Sequence, residues 1–438
     1  MRTFVGISLL AFMATWICVV KYLVRGRQEW VPRENPYSKV GEATVTVSLS
    51  AELTGWDLVE KLYSVGLDNA GELARLLEED DPFKVAVDSP DRFQCPTSEA
   101  ERFSLPDMRN HDSEEAFQAG QGFIYYQHLR KAGGTGFCEM AGRQVREGRA
   151  ACLDVLVSNM APREVPDYHC MPDNRGAMAT PPWLNQEFFF QQMRKSGYRI
   201  TANEWDAFPM DHLHLPGAVF ATTFRHPVDR WYSQYRFEHV EHRDGSRADK
   251  PTIPFSKWYR RMRPYAMGDN YYVKTFCGQR NPSDEELMRD TNRMGEPKHE
   301  RDLYWSFHKF NSWGDKVTWE ALKTSMEVLQ RFHLILVLDF VDDEMWALNE
   351  SLGWEAARKQ VLPHERQAIR ADKKSISARE ALPSEVWSEI LNANVFDVLL
   401  FHWAKRMYLE RSACRSFDQE SVLKLPPKIA IQEESDGA

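Results

Sequence analysis

Four short apolar runs alternate with longer stretches of helical periodicity, and this alternation narrows the fold more than any other feature of the 438-residue chain. The runs are 122–128 (GFIYYQH), 198–202 (YRITA), 217–224 (GAVFATTF) and 332–338 (FHLILVL). Helical patterns occupy 137–147, 184–196, 228–240, 318–331, 343–352 and 384–410. Strands that are apolar throughout need cover on both faces. The pattern therefore predicts an α/β domain over 120–412, a central parallel sheet flanked by helices. An apolar fraction of 43% and an aromatic fraction of 12% are enough for a core of that size.

The ends of the chain read differently. Residues 3–24 are almost uncharged, with Lys21 placed to snorkel, and they are just long enough to span a bilayer. No small-residue cleavage site follows, so 1–27 reads as a cytoplasmic tip and an uncleaved membrane anchor. Lys21, Arg25 and Arg27 after the span favour a cytosolic main domain on charge alone. The cysteines weakly oppose that. Beyond Cys18, the six at 95, 138, 152, 170, 277 and 414 allow up to three disulfides in an oxidising lumen, with pairing open, and none has zinc-site spacing. Residues 28–119 are polar and turn-rich and read as a stem, with short helical patches at DLVEKLYSVG and AGELARLLEED. The tail 413–438 ends in QEESDGA and reads as disordered. A net charge of −9 argues against a nucleic-acid binder.

The chemistry concentrates at two strand ends. In FIYYQHLRKAGGTGF, 123–137, a strand gives way to Lys131-Ala132-Gly133-Gly134-Thr135 and a helix starts near Gly136. Glycines let backbone amides at a helix start approach an anion, and Lys131 adds a point charge. A nucleoside-triphosphatase loop carries its lysine after the glycines; here Lys131 precedes them. In GAVFATTFRHPVDRWYSQY, 217–235, a buried strand ends at Arg225 and Pro227 opens a helix. Arg225 and Ser233 can meet one anion there, through a planar fork and a hydroxyl.

These stretches resemble the two donor-binding motifs of the sulfotransferases, above all the membrane-bound Golgi carbohydrate enzymes of the heparan-sulfate 2-O-sulfotransferase type. RKAGGTG is similar to that family's PKTAGTS, and RHPVDRWYSQY to its RDPVERLxSxY. DNYYVKTFCG, 269–278, and the segments after it follow the family's later order. Arg130 stands where the family has Pro, and Gly136 where it has Ser or Thr, which removes one hydroxyl contact.

The resemblance implies a P-loop-like three-layer fold and a donor, 3′-phosphoadenosine 5′-phosphosulfate. Lys131, Ala132, Gly133, Gly134, Thr135 and Gly136 would hold its 5′-phosphosulfate, and Arg225 and Ser233 its 3′-phosphate. Lys374 and Ser375, in the DKKSIS run 372–377, lie where the family closes a loop on the nucleotide. Lys131 would also steady charge on the leaving phosphate, with no metal required. The family's general base is a His or Glu ahead of the Arg motif, which leaves Glu204, His212 and His214; Glu204 has the expected spacing. The implied protein is a single-pass type II Golgi membrane enzyme with a lumenal domain, sulfating a hydroxyl of a glycan or proteoglycan. Homo-oligomerisation is left open. The alternatives are an ATP-dependent small-molecule kinase and an inactive sulfotransferase-like binding protein. For the acceptor, Trp183, Trp205, Trp231, Trp305 and Trp313 and the basic runs at 242–247 and 259–265 are candidate contacts, each with an ordinary core or surface alternative.

Overall fold

A computed structural model of the chain describes residues 53, 55–85, 92–103, 107–134, 136–137, 140–141, 171–172, 200–203, 208, 210–241, 252–263, 268–277, 317–340, 351–354 and 377–414. The chain divides into two compact units, Met1–Ser48 and Leu49–Ala438, and the first lies outside the described residues. The apolar segment 3–24 falls there. No helix among the described residues is long and apolar enough to cross a membrane.

Five parallel strands form one sheet: β1 (Phe123–Gln127), β2 (Met171–Pro172), β3 (Ile200–Asn203), β4 (Ala218–Phe224) and β5 (Leu334–Val337), in the order β2-β3-β1-β4-β5. The four apolar runs supply β1, β3, β4 and β5; the short edge pairing β2 carries no sequence signal. β1 pairs with β3 from Ile124 opposite Ile200 to Gln127 opposite Asn203, and with β4 from Phe123 opposite Ala218 to Gln127 opposite Thr222. Every residue of β1, β4 and β5 is buried, as strands with two covered faces require.

One face of the sheet packs Ile124, Tyr126, Val219, Ala221, Leu334 and Leu336 against Phe117, Phe137 and Met140. Phe117 comes from α3 (His111–Gln118), and Tyr126 stacks on Phe137 at 4.2 Å. On the other face, Tyr125 and Phe220 meet Phe208, Phe276 and Phe332 in edge-on and tilted aromatic contacts of 5.1–6.3 Å between ring centroids.

The polar segment read as a stem belongs to this unit. Helix α1 (Gly55–Asp68) and helix α2 (Ala70–Arg75), which continues as a wide turn over Leu76–Asp80, pack against the C-terminal helix. That helix does not run unbroken from 384 to 410. It splits at Asn394 into a first helix, Ser384–Ala393, and a second, Val395–Ala413. The break arises because the side chain of Asn394 turns to serve Asn270, accepting that residue's N–H at 3.0 Å, while Asn270 Oδ1 accepts the N–H of Phe396 at 3.1 Å.

The buried pair Arg406–Glu410, 2.7 Å apart, anchors the early segment. Arg406 donates to the Phe83 carbonyl at 2.8 Å, and Glu410 accepts the Phe103 N–H at 2.9 Å. Breaking one partner of such a pair costs about 3–5 kcal/mol. A Cys95–Cys414 disulfide closes the same region, and Cys277 is a buried thiol. The described residues between 53 and 103 are thus packed into the same compact unit, Leu49–Ala438, as the sheet. A polar composition concealed this, because few but well-spaced apolar residues (Leu58, Leu62, Leu73, Leu76) do the packing. The helical reading 184–196 and tail residues 415–438 lie outside the described residues, as do all but two residues of 343–352.

Buried titrating groups predict an acid-sensitive fold. Burial pushes His212 down to about 3 and His333 down to about 4, so both are neutral when folded but take up a proton near pH 6.5 when unfolded. His333 is held by two hydrogen bonds, from the Phe220 N–H and to the Asn110 carbonyl. Burial raises Asp397 to about 6, which acts with the opposite sign: below that pH the folded state holds a proton the unfolded chain lacks. For these three groups together, the unfolded state binds about one proton more between pH 6 and 4, a loss of about 1.4 kcal/mol per pH unit on acidification, and the lowered pKa of buried His402 acts in the same direction. Urea unfolding at pH 7, 6 and 5 tests this; stability that is constant or rises toward pH 5 would contradict it.

Candidate functional site

β1 and β4 are adjacent and parallel, and the chain leaves them toward opposite sides of the sheet, β1 toward β2 and β4 toward β5. A crevice at the carboxyl ends of two such strands is where open α/β sheets bind ligands. Both glycine-and-cation motifs of the sequence emerge there.

The first loop is tightly wound. Ala132 N–H donates to the Leu129 carbonyl at 3.1 Å, and Phe137 N–H to the Gly133 carbonyl at 3.1 Å. Gly133 has φ +92°, and a Cβ there would lie 2.7 Å from Leu338. A Cβ on Gly134 would lie 1.9 Å from the His128 ring. Gly133 is therefore required by its positive φ, and Gly134 by the close approach of the His128 ring. Lys131 itself sits at φ +62°, a left-handed conformation that costs a non-glycine residue roughly 1–2 kcal/mol and concentrates at functional sites. Its ammonium rests 3.6 Å from the centroid of the Phe237 ring.

The second motif meets the first directly. Arg225 follows the last residue of β4, and its Nη1 donates to the Lys131 carbonyl at 3.3 Å. The Arg225 carbonyl accepts the Tyr272 hydroxyl at 2.7 Å. Burial pulls the guanidinium pKa down, while Asp229, Tyr272 and Asp339 pull it up. Among the described residues Arg225 makes no ion pair, and Asp339 is engaged by Lys405 at 2.9 Å. The guanidinium is thus desolvated and retains donors for an oxyanion.

Helix α4 (Pro227–Tyr235) starts immediately beyond, continues as a wide turn over Arg236–Glu241, and carries Ser233, half-buried, and Phe237. Asp229 Oδ1 accepts the N–H of Ala378 at 2.9 Å. That bond docks the chain just after the DKKSIS run onto the helix of the Arg225 motif. Ser377 ends the run and caps a short helix, Ala378–Ala381, in a reciprocal capping box with Glu380.

The DNYYVKTFCG stretch has a positioning role. It forms α5 (Tyr271–Phe276), whose first N–H groups, those of Tyr272 and Val273, donate to the buried Asp397 carboxylate at 3.0 and 2.9 Å. This fixes the tyrosine that holds the Arg225 carbonyl.

Lys131, Ala132, Gly133, Gly134, Arg225 and the helix bearing Ser233 are therefore gathered at one edge, and Gly136 is buried in the helix start behind the loop. Thr135, Glu204, Lys374 and Ser375 lie outside the described residues. β3, which precedes Glu204, ends at Asn203 in register with Gln127, on the same edge. His212 and His214 lie elsewhere. They sit on a short turn of helix, Met210–His214, that leads into the opposite end of β4, about 20 Å from Arg225 at ~3.3 Å per strand residue. His212 is fully buried, edge-on to Tyr125 at 5.3 Å, and burial keeps it neutral; His214 is exposed. Neither accompanies Lys131, because the chain uses that segment to re-enter the sheet from below.

Among the candidate acceptor contacts, Trp231 is core, 1% exposed and edge-on to Trp258 and Tyr259. Arg260 and Arg263 are paired with Glu389 and Asp269. Trp183, Trp205, Trp305, Trp313 and 242–247 lie outside the described residues. Sequence reasoning missed the roles of Phe237, visible only as a member of the helical pattern 228–240, and of Tyr272, visible only as part of the DNYYVKTFCG stretch. The chain matches no family model, no curated protein and no solved structure.

Proposed function

We propose that the protein is a sulfotransferase that moves a sulfuryl group from 3′-phosphoadenosine 5′-phosphosulfate to a hydroxyl of a glycan acceptor. The observation that carries this reading is the hydrogen bond from Arg225 to the Lys131 carbonyl, which joins the two strand-end anion motifs in one crevice. The parallel order β2-β3-β1-β4-β5 with helices on both faces fits a P-loop-like three-layer arrangement. The residues also fit the donor: a glycine loop that admits no Cβ at Gly134, and a desolvated arginine without an ion pair among the described residues.

In this reading Arg225 and Ser233 grip the 3′-phosphate and hold the donor in register. The loop amides of 132–136 receive the 5′-phosphosulfate. Lys131 leaves the Phe237 ring to stand beside the bridging oxygen, where negative charge builds as the sulfur–oxygen bond breaks. The acceptor hydroxyl attacks in line and gives its proton to Glu204, whose strand ends on the correct edge. Lys374 and Ser375 would contribute from the chain just before Ala378, which Asp229 holds to helix α4. The Cys95–Cys414 disulfide suits an oxidising lumen, and residues 3–24 would anchor the domain to the Golgi membrane as a type II protein.

Calorimetry with 3′-phosphoadenosine 5′-phosphate in the absence of metal, beside ATP with Mg²⁺, tests the donor. Micromolar binding of the bisphosphate is expected, weakened at least ~100-fold in Arg225→Ala, the scale for losing a charged hydrogen-bonding group from a buried site. Glu204→Gln should keep that binding and lose turnover, whereas His214→Ala should keep both. ATP binding without bisphosphate binding would overturn the reading in favour of a kinase. Bisphosphate binding with no turnover on any sugar acceptor would mark an inactive binding protein.

A further inference from the structure

Three side chains outside the strand-end crevice converge on one point. Glu78, from the wide turn that ends α2, places Oε1 2.9 Å from Nε2 of His226 and 3.7 Å from Nε2 of His402. The three ligating atoms all lie within 4.8 Å of one another. His226 is the residue before α4, and His402 lies in the C-terminal helix Val395–Ala413. Both imidazoles are buried, 8% and 7% exposed.

Aromatic walls hold both rings. His226 stacks on Trp387 at 5.2 Å and 5°, and Phe401 meets it edge-on. His402 lies nearly parallel to Phe83, and the two imidazoles are close to perpendicular, at 84°. The carboxylate forms a hydrogen bond with His226. His402 Nε2 faces the same oxygen from beyond hydrogen-bonding distance, and neither nitrogen of His402 has a hydrogen-bond partner among the described residues. A buried imidazole aimed at a carboxylate it does not bond is poorly explained as a simple ion pair.

Two imidazole nitrogens and one carboxylate oxygen around a common point are the donor set of a borderline-soft divalent ion. Metal–ligand bonds of about 2.0–2.2 Å in a tetrahedral site place ligand atoms roughly 3.3 Å apart; the two carboxylate–imidazole separations of 2.9 and 3.7 Å bracket that spacing, and the two imidazole nitrogens lie within 4.8 Å of each other. Magnesium and calcium, which want oxygen ligands, do not suit it. We infer that Glu78, His226 and His402 bind one divalent transition-metal ion of the zinc class. The Glu78 side chain is 25% exposed, which gives the ion an entry path and a side for a water ligand. The ligands come from three distant parts of the chain, so the ion staples the α2 turn and the C-terminal helix to the turn that follows Arg225. Its role is structural and separate from sulfuryl transfer.

The test uses the full chain, stripped with chelator and titrated with Zn²⁺ alone. One equivalent is expected to bind with sub-micromolar Kd and to raise the thermal unfolding midpoint. Glu78→Gln and His402→Gln should each weaken binding by more than the roughly 10–100-fold that loss of an outer-shell partner costs. Co²⁺ in the wild-type chain should give the intense visible bands of four-coordinate cobalt, displaced by Zn²⁺, which keeps the test decisive even if a variant fails to fold. Arg225→Ala should retain the metal while losing the bisphosphate, so the two sites fail separately. Folded wild-type protein that takes up no Zn²⁺, uptake unchanged in both folded variants, or cobalt absorption no different from the aqueous ion would each overturn the inference.

Discussion

Replacing Lys131 by Ala is expected to lower kcat by about 100–1000-fold, with a much smaller change in affinity for 3′-phosphoadenosine 5′-phosphate. The expectation rests on the different places of the two cations. Arg225 is desolvated and tied to the backbone, so it contributes to the bound state whether or not bonds are breaking. The Lys131 ammonium lies over an aromatic face, a contact worth roughly 0.5–2 kcal/mol that a developing negative charge can outcompete. On the proposed mechanism it would act most strongly when the leaving phosphate gains charge, which is the condition for raising kcat rather than only lowering KM. Turnover of radiolabelled donor with a mixed glycan acceptor would provide the readout. An unchanged kcat in Lys131→Ala would remove Lys131 from the chemistry. A loss of bisphosphate affinity equal to the loss of kcat would recast it as a binding residue.

The second large effect is on stability. Cys414→Ser is expected to destabilise the domain by about 5 kcal/mol, the upper end for a single disulfide, because the bond closes a loop of 319 residues in the unfolded chain. The bond also lies beside the buried Arg406–Glu410 pair and the Phe103 contacts, so its loss loosens the attachment of the early helices to the C-terminal helix. Denaturant unfolding of the wild type with and without reductant, beside the variant, tests this. The reduced wild type and the variant should unfold at similar denaturant concentrations, both well below the oxidised protein. Coincident curves for oxidised and reduced wild type would show that the bond is unimportant or absent in solution.

The sheet was legible in the sequence because strands buried on both faces must be apolar throughout and helices between them must be amphipathic; β1, β3, β4 and β5 all follow from that requirement. The glycine loop was legible for an equally local reason, because positive φ and close approach restrict residue type over a few positions, and the Arg225 turn because Pro227 opens a helix directly after a buried strand. Local pattern is silent on which distant residues meet. The described part of the polar stretch at 55–103 joins the domain through distant partners: α1 and α2 pack on the C-terminal helix, and Phe83 and Phe103 reach Arg406 and Glu410 across 300 and more positions. The pairing of Cys95 with Cys414, the break at Asn394 and the burial of Trp231 were settled in the same way, by partners far along the chain. The resemblance offered His212 and His214 beside Glu204 as candidate bases, yet the direction of β4 sends them to the other end of the sheet. The same long-range convergence made a site of Glu78, His226 and His402, three residues that no local spacing connects. Residue type and short-range periodicity fix elements and turns, whereas the sites arise where the sheet and its helices bring separate turns together.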